Sequence, residues 1–258
     1  MKHAGSRADV EAYYREVAPF YDAELADRDD LGFWREMAAA HQGGRILELG
    51  AGSGRVTAAL APFAGQLVAI DLSPELLRLA KRRISGWTGV HLVRADMRTL
   101  AFRQPFDLIV AANDPFCHLV EAEDRDRTLQ VVAGSLAPGG RFVLDALWLS
   151  PADASAVSSR GGRVRRVTTS LHGQRLRVVE RWARPGGRGQ WCHARYEYRR
   201  AGSPPVIAEF DARDWSPAEL NGRFRRAGLT ICQVWGSYRR TAWDATRSSQ
   251  LIVEARRS

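Results

Sequence analysis

Three glycines at alternating positions follow a short apolar run, and this pattern constrains the fold more than any other feature of the chain. Residues 45–50 are typical of a buried parallel strand, and Gly50, Gly52 and Gly54 come at and just after its end. Closely spaced glycines at a turn from strand to helix let a ligand touch the backbone. Acidic Glu48 precedes the loop, where its charge opposes a pyrophosphate and suits a cationic ligand. The pattern therefore predicts a ligand-binding turn in a parallel sheet.

Short apolar runs recur along the chain, with helical segments between them. The predicted parallel strands cover residues 45–50, 66–71, 90–94, 106–111 and 141–147. Near the end of the sequence, residues 229–238 and 249–255 predict an antiparallel pair. Strands that alternate with helices at this rhythm form a doubly wound parallel sheet. We therefore expect an α/β fold with a seven-stranded, mostly parallel sheet.

Residues 151–215 break this rhythm, because apolar and polar positions alternate in four of their segments. These segments are residues 163–171, 174–183, 190–200 and 206–213, with turn formers such as Pro185-Gly186-Gly187 between them. The alternation predicts an antiparallel β insertion that serves as a substrate lid or a dimer surface. The predicted parts of the chain are an N-terminal helical lid (1–44), a binding core (45–150), the insertion (151–215) and a final part that completes the core (216–258).

The positive charge of the chain is concentrated in its second half. The 258 residues carry a formal net charge of +9, and residues 151–258 hold 21 arginines against 9 acidic residues. This asymmetry leaves two alternatives open, an anionic partner and a solvated or self-associating arginine surface. With 45% hydrophobic residues, the chain is too apolar for a disordered protein.

Membrane, secretory and metal-binding signals are not found in the sequence. No apolar run approaches the roughly 18 residues that cross a bilayer, and the first residues lack the apolar core of a secretory signal. Cys117, Cys192 and Cys232 are odd in number and far apart, which argues against a disulfide framework and a paired zinc site. No cluster of His, Asp or Glu has the spacing of metal ligands. We therefore expect a cytoplasmic protein that uses no metal and binds no membrane.

Five motifs follow one another near the ends of predicted strands and in the helix-to-strand turn. They are LELGAGSGR (47–55), IDLSPELL (70–77), RADM (94–97), FDLIVAAND (106–114) and LAPGGRFVLD (136–145). In this order they resemble the motifs of class I S-adenosylmethionine-dependent methyltransferases. S-adenosylmethionine is cationic at its ammonium and its sulfonium, in agreement with the acidic residue before the glycine loop.

The resemblance implies cofactor contacts at the ends of the first four strands. Asp71 is expected to accept hydrogen bonds from the ribose hydroxyls, Asp96 is expected to accept one from the adenine amino group, and Met97 is expected to pack on the adenine ring. The implied cofactor-binding residues of the core are Glu48, Gly50, Ala51, Gly52, Asp71, Leu72, Asp96, Met97, Ala112 and Asn113.

The N-terminal segment carries a second resemblance. Residues 19–22, Pro-Phe-Tyr-Asp, followed by Arg28, resemble the helical lid of small-molecule N-methyltransferases that act on glycine or amino sugars. In those enzymes a tyrosine closes over the cofactor and an arginine pairs with its carboxylate, which suits a guanidinium fork. The resemblance therefore implies cofactor contacts for Tyr21 and Arg28. Arg35 on the next helix is an equal alternative to Arg28, and a packing tyrosine with a surface arginine is the other interpretation.

The segment after the fourth strand meets the methyl end of the cofactor in this family. Small-molecule methyltransferases often carry Asn-Ser-Phe-x-His-Leu there, whereas residues 113–119 read Asn-Asp-Pro-Phe-Cys-His-Leu, one residue longer. His118 is a candidate general base because the ordinary pKa of histidine lies near neutral pH, and Tyr21 is its candidate helper. A capping or packing histidine is the alternative. Nucleic-acid amino-methyltransferases carry Asn-Pro-Pro-Tyr or Asn-Pro-Pro-Phe at the same place.

Together these patterns favour an S-adenosylmethionine-dependent methyltransferase that acts on nitrogen or oxygen of a small molecule, which the arginine excess suggests is anionic. Alignment of the reactants in a site closed to water would supply most of the catalysis. One alternative is an RNA or DNA base methyltransferase that uses the basic second half, whose affinity for nucleic acid would fall steeply with salt. The other is a non-catalytic regulatory protein with the cofactor fold, which would bind the cofactor and methylate nothing.

Overall fold

The chain folds around two β-sheets, and the computed structural model describes residues 7–184 and 191–258. Its strands are β1 (Arg45–Leu49), β2 (Gln66–Asp71), β3 (Val90–Arg94), β4 (Phe106–Ala111), β5 (Leu136–Ala146), β6 (Arg163–Leu171), β7 (Gln174–Ala183), β8 (Trp191–Arg200), β9 (Val206–Arg213), β10 (Leu229–Trp235) and β11 (Leu251–Arg257). Its helices are α1 (Arg7–Val17), α2 (Tyr21–Glu24), α3 (Leu31–Ala39), α4 (Arg55–Leu60), α5 (Pro74–Arg83), α6 (Ala122–Ser135), α7 (Pro151–Ser158) and α8 (Pro217–Arg226). A short 3-10 turn, Pro115–His118, follows β4.

The main sheet has the strand order β10-β11-β5-β4-β1-β2-β3. Strand β1 pairs in parallel with β2 and β4, and β4 pairs in parallel with β5. Strand β11 runs antiparallel to both β5 and β10. The predicted seven-stranded, mostly parallel α/β fold is therefore confirmed. The strand order reverses between β1 and β4, and ligands of such sheets bind at the carboxyl ends of the strands beside the reversal.

Helices cover both faces of the main sheet, which explains why its central strands are continuous apolar runs. On one face, Leu129 of α6 and Phe224 of α8 belong to the buried core. On the other face, Phe33 and Trp34 of α3 pack with Leu60 of α4. These five side chains are at most 3% exposed. No helix in the described part of the chain is both long and apolar enough to cross a membrane.

Three helices begin with a serine followed by proline. The Oγ atoms of Ser73, Ser150 and Ser216 each accept a hydrogen bond from a backbone N–H three residues on, at 3.1, 3.2 and 3.2 Å. Proline at the first helical position needs no hydrogen-bond acceptor, so the pair is a strong start signal. The second of these helices is α7, which begins the insertion and precedes the first of its predicted strands, residues 163–171.

The predicted antiparallel insertion is confirmed as a four-stranded sheet in the order β6-β7-β8-β9, called the insertion sheet below. Its inner face, with Val178, Ala194 and Phe210, is buried against Tyr13 of α1 and Phe20 before α2. Its outer face carries exposed arginines of β7 and β8: Arg175, Arg177, Arg181 and Arg199. The lid helices therefore lie between the two sheets.

Two predicted details of the strands need comment. Strand β5 begins at Leu136 rather than at residue 141, because Phe106 of β4 pairs with Leu136 before the register shifts. Such an irregularity lets a Pro-Gly-Gly stretch remain part of a strand. The predicted turn at residues 185–187 and the predicted strand start at Gln190 lie outside the described residues.

Candidate active site

The carboxyl ends of β1 to β4 and helix α1 border a narrow cleft of about 60 Å³ that is partly open to solvent. We call it the first cleft. It lies where the strand order reverses, as expected for a ligand site in such a sheet. Many residues predicted for the cofactor line it: Tyr21, Gly50, Asp71, Leu72, Asp96, Met97, Ala112 and Asn113. The fold therefore gathers these residues from separate segments of the chain into one cavity.

The glycine loop carries no side chains of its own at Gly50 and Gly52. Gly50 and Gly52 have φ angles of +74° and +56°, in the left-handed region that other residues rarely adopt. A Cβ atom on Gly50 would lie 2.6 Å from the Cβ of Pro115, and one on Gly52 would lie 2.9 Å from the hydroxyl of Tyr21. Both positions therefore require glycine, because Pro115 and Tyr21 pack directly against the loop.

Asp71 ends β2 with its carboxylate held in place by backbone groups. Its Oδ2 accepts a hydrogen bond from the N–H of Gly52 and its Oδ1 accepts one from the N–H of Ser73, both at 2.8 Å. Burial raises the pKa of this carboxyl, and the backbone N–H groups oppose that effect. Because each carboxylate oxygen can accept a second hydrogen bond, the group remains able to receive the hydroxyls of a ribose.

Asp96 enters the first cleft together with a cation that the motifs did not indicate. Its two oxygens accept hydrogen bonds from Nε and NH2 of Arg98, the shortest at 2.7 Å. Burial raises the pKa of Asp96, but the bonds from Arg98 outweigh this effect and hold the pKa below its ordinary value. Asp96 therefore offers a ligand only the lone pairs that Arg98 leaves free.

Glu48, Ala51 and Gly52 lie behind the wall of the first cleft rather than in it. Glu48 is 1% exposed and accepts a hydrogen bond from the Thr57 hydroxyl at 2.5 Å. Burial raises the pKa of Glu48 to about 8. In this structure Glu48 supports the glycine loop from below, and direct contact of these three residues with the cofactor stays a prediction.

Arg28 does not line the first cleft either. Its NH2 donates to Oδ2 of Asp145 at 2.6 Å and its Nε donates to Oδ2 of Asp30 at 3.1 Å. NH2 also donates to the hydroxyl of Tyr238. Its alternative, Arg35, is exposed on α3 and lines neither this cleft nor the one described next. Pairing of either arginine with the cofactor carboxylate therefore stays a prediction.

A second, larger cleft adjoins the first under the lid helices. It has a volume of about 490 Å³ and lies between α1, α2, the turn after β4, the end of β5 and the insertion sheet. Aromatic side chains form much of its wall: Tyr13, Tyr14, Tyr21, Trp148, Trp182, Tyr196 and Phe210. Carboxyl side chains form another part of the wall: Glu24, Asp27, Asp114, Asp145 and Glu180.

The arginines of the second cleft already face carboxylates. Arg28 pairs with Asp145 at 2.6 Å, and Arg165 pairs with Glu180 at 3.2 Å. Burial raises the pKa of Glu24 to about 7, even though the hydroxyl of Tyr198 donates to this carboxyl at 2.5 Å. The second cleft is therefore acidic and aromatic, a lining that favours a cationic ligand.

The two clefts share four residues, namely Tyr14, Tyr21, Asn113 and His118. The hydroxyl of Tyr14 lies 2.8 Å from Nε2 of His118, and Nδ2 of Asn113 donates to the hydroxyl of Tyr21 at 3.5 Å. Burial raises the pKa of Tyr21 well above its ordinary value, so its phenol stays protonated. The two clefts therefore join at these four side chains, and a group bound in one cleft contacts a group bound in the other at this junction.

His118 is buried at this junction with one nitrogen unpaired. It is 9% exposed, and its Nδ1 has no hydrogen-bond partner among the described residues. Burial lowers the pKa of His118 to about 4, so the ring is neutral at neutral pH. If Nε2 carries the proton and donates to Tyr14, then Nδ1 keeps an unpaired lone pair at this junction.

The sequence analysis did not single out Tyr14, Asp114 or Phe210. Two adjacent tyrosines in α1 gave no indication of which one faces the site. The insertion sheet carried a usable signal, because side chains alternate between the faces of a strand. Its inward aromatic residues, Trp182, Tyr196 and Phe210, occupy even positions, whereas the outward arginines occupy odd ones.

Comparisons with known proteins agree with this geometry. Residues 46–140 match the family described as a methyltransferase domain. The cypemycin N-terminal methyltransferase of Streptomyces sp is 30% identical over 251 residues, which cover 95% of this chain and 98% of the relative. An S-adenosylmethionine-dependent methyltransferase from Clostridium acetobutylicum has a TM-score of 0.76 at 17% identity, over 95% of this chain and 99% of that one. The amino pentose methyltransferase CalS10 from Micromonospora echinaspora, solved with S-adenosylmethionine bound, has a TM-score of 0.66 at 23% identity, over 96% of each chain.

Proposed function

The chain belongs to the class I S-adenosylmethionine-dependent methyltransferases, and we propose that it methylates an amine nitrogen of a small-molecule acceptor. When bound, S-adenosylmethionine supplies an electrophilic methyl group on a sulfonium centre. The relatives support a small-molecule acceptor, and the choice of nitrogen rests on the lining of the second cleft.

The acidic and aromatic second cleft is the observation that carries this proposal. An amine arrives as an ammonium at neutral pH, and carboxylates and aromatic ring faces both attract such a cation. Among the described arginines of residues 151–258, only Arg165 lines this cleft, and it pairs with Glu180 at 3.2 Å. The same carboxylates would repel a phosphate backbone, which argues against RNA or DNA as the acceptor.

The cofactor belongs in the first cleft under this proposal. The methionine part of the cofactor lies beside the glycine loop, and the carboxylate of Asp71 accepts hydrogen bonds from the ribose hydroxyls. Asp96 and Met97 contact the adenine. Leu72, Ala112 and Asn113 complete the wall. The fit is supported by the lining of this cleft, which brings Gly50, Asp71, Asp96 and Met97 together.

The residues shared by the two clefts orient the reactants. Under the lid, Tyr14 and Tyr21 exclude water, and His118 offers a hydrogen bond to the attacking amine through its unpaired Nδ1. A neutral imidazole suits this role because it does not repel the sulfonium. Holding the reacting atoms in line within a dry site is the main source of rate in such a transfer.

A panel of matched acceptors tests the proposal. Amino sugars and peptides with a free α-amine are each offered together with the N-acetylated counterpart, and methyl-labelled S-adenosylmethionine is the donor. We expect label in the free amines only, with mass spectrometry placing it on nitrogen. Equal labelling of the N-acetylated partners, or label on oxygen, would contradict the proposal.

A further inference from the structure

Asp114 occupies an unusual backbone conformation at the junction of the two clefts. It and Asn113 have φ angles of +53° and +57°, so two consecutive residues other than glycine lie in the left-handed region. Side chains rarely adopt this region, and such strain tends to persist where it serves a functional site. Here the conformation directs the chain from the end of β4 into the turn that carries His118.

The carboxyl group of Asp114 is buried without a full set of partners. Asp114 lines the second cleft, and its Oδ1 has no hydrogen-bond partner among the described residues. A buried carboxylate oxygen without a partner is costly, so its persistence points to a ligand that completes it. The nearest unpaired group in the same turn is Nδ1 of His118. Two incomplete polar groups therefore belong to residues that line one cavity beside the first cleft.

The charged and titratable groups around Asp114 leave room for a cation. Burial raises the pKa of Asp114, and the charge of Asp145 on β5 raises it further. Three groups lower this pKa: the backbone N–H of Leu147, Arg125 of α6 and the Cys117 thiol. Arg125 is itself occupied, because it donates to the backbone oxygens of Leu119 and Asp214 at 2.9 and 3.1 Å. Arg28 already pairs with Asp145 at 2.6 Å, and no guanidinium group of the described residues donates a hydrogen bond to Asp114 itself.

We propose that Asp114 binds the ammonium group of the acceptor and takes its proton, an assignment that rests on the proposed function. An N–H bond of the ammonium breaks as an O–H bond forms at Oδ1, and the electron pair stays on nitrogen. That pair forms the new N–C bond while the C–S bond breaks and its electrons remain on sulfur. The product is a protonated methylamine, and the proton on Asp114 passes to solvent when the product leaves.

This assignment divides the work between the two unpaired groups of the turn. His118 has a pKa of about 4, which makes it a weak base, whereas the carboxyl of Asp114 holds a proton more tightly than an ordinary aspartate. The Asp114 carboxylate also attracts the ammonium group, which a neutral imidazole does not. We therefore assign the proton to Asp114, and His118 aligns the amine.

The variant Asp114→Asn tests the assignment, with the exposed Asp29→Asn as the matched control. The asparagine keeps the shape of the side chain and cannot take up a proton. With the panel amine of highest rate, we expect turnover of Asp114→Asn at pH 7 to fall about 10²–10⁴-fold, the usual scale for a positioned base. We expect the loss to shrink as the pH approaches that of amine deprotonation, because the free amine then needs no base. Affinity for S-adenosylhomocysteine, measured by calorimetry, should stay within threefold of the wild type.

Turnover within threefold of the wild type at pH 7, with the same pH profile, would overturn the assignment. A loss that does not shrink at high pH would also overturn it, because that result indicates a structural role. If no panel amine is methylated but an oxygen is, the proposed function itself fails. Equal methylation of an amine by the wild type and by Asp114→Asn would refute the role of Asp114 and leave the proposed function intact.

A measurement on the wild-type protein keeps the test decisive if Asp114→Asn does not fold. The ¹³C chemical shift of the Asp114 carboxyl is followed by NMR in the complex with S-adenosylhomocysteine. Methylammonium should move this resonance, whereas methanol, its neutral isostere, should not, and the resonance of Asp29 should respond to neither. An Asp114 resonance that does not move with methylammonium would overturn the assignment.

Discussion

At the scale of single residues, the turn after β4 contains two buried polar atoms that have no hydrogen-bond partner among the described residues. Nδ1 of His118 and Oδ1 of Asp114 belong to one short segment that borders both clefts. Other buried side-chain atoms of the described residues, such as Nε1 of Trp215 and Nε1 of Trp243, also lack a partner, so it is the place of these two beside the clefts that points to a ligand. Two predictions belong at this scale.

His118→Ala should lower turnover about 10²–10⁴-fold while leaving cofactor affinity nearly unchanged. The residue offers its hydrogen bond from the junction of the clefts, and the alanine variant cannot align the amine. Because burial places the pKa of His118 at about 4, its neutral fraction is constant above about pH 5. The rate should therefore show no step from this residue between pH 6 and pH 8. The exposed His91→Ala is the control, and a step near the ordinary histidine pKa that disappears in His118→Ala would contradict the buried state.

Asp71→Ala should weaken the binding of S-adenosylhomocysteine by about 1.5–3 kcal/mol, the usual contribution of hydrogen bonds to a charged group. The variant also releases the N–H groups of Gly52 and Ser73, which the carboxylate now holds. Isothermal calorimetry measures the change. Asp27→Ala is the control, since Asp27 lines only the second cleft. Equal affinities for wild type and Asp71→Ala would remove Asp71 from the cofactor site.

At the scale of elements, the insertion sheet holds the lid in place. The hydroxyl of Tyr198 on β8 donates to Glu24 of α2 at 2.5 Å, and the hydroxyl of Thr169 on β6 donates to the backbone oxygen of Ala23 at 3.1 Å. The ring of Phe20 stacks on that of Tyr198 with centroids 4.5 Å apart. The insertion sheet is thus a wall of the acceptor site and also the support of the helices that cover it.

A double-mutant cycle with Tyr198→Phe and Glu24→Gln measures this support. Tyr198→Phe leaves the buried Glu24 carboxyl without its donor, so we expect a loss of about 1–3 kcal/mol in the free energy of unfolding. In the Glu24→Gln background the same change should cost less, with a coupling energy of about 1 kcal/mol. Urea denaturation at pH 8, where Glu24 with its pKa of about 7 is ionised, gives the four values. Additive effects would mean that ring packing alone holds α2.

At the scale of the whole molecule, the chain buries several carboxyl groups whose pKa values lie above the ordinary range. In Glu48, burial raises the pKa from 4.5 to about 8. Between these values the folded chain keeps a proton that the unfolded chain loses. The contribution of this group to stability is therefore greatest below about pH 4.5 and is lost as the pH rises through 8.

Glu48→Gln should consequently match the wild type in stability near pH 5 and exceed it near pH 8. The glutamine still accepts the hydrogen bond from Thr57, and it does not ionise. The difference should grow by up to about 1.4 kcal/mol for each pH unit between these limits. Urea denaturation at several pH values measures it, and the exposed Glu36→Gln is the control. Parallel stability curves for wild type and Glu48→Gln would show that Glu48 ionises normally in the folded chain.

The sequence predicted the main sheet well and the acceptor side less completely, for a physical reason. Parallel strands buried on both faces leave continuous apolar runs, and the glycines at Gly50 and Gly52 reflect backbone conformations that no other residue adopts easily. Both signals are local. The second cleft instead depends on contacts between distant segments, such as Tyr14 against His118, which no spacing along the chain encodes. Helix α7 was the exception, because its Ser150-Pro151 start is a local signal that went unused.

Helix α1 borders both clefts, with Val10 on the first, Val17 on the second and Tyr14 on both. A single helix of 11 residues moves as one body, so opening one cleft also opens the other. An amine that takes more than one methyl group needs fresh cofactor for each addition. Every exchange of cofactor would then expose the partly methylated product to solvent. The enzyme would therefore work distributively, and singly methylated product would accumulate before any doubly methylated product forms.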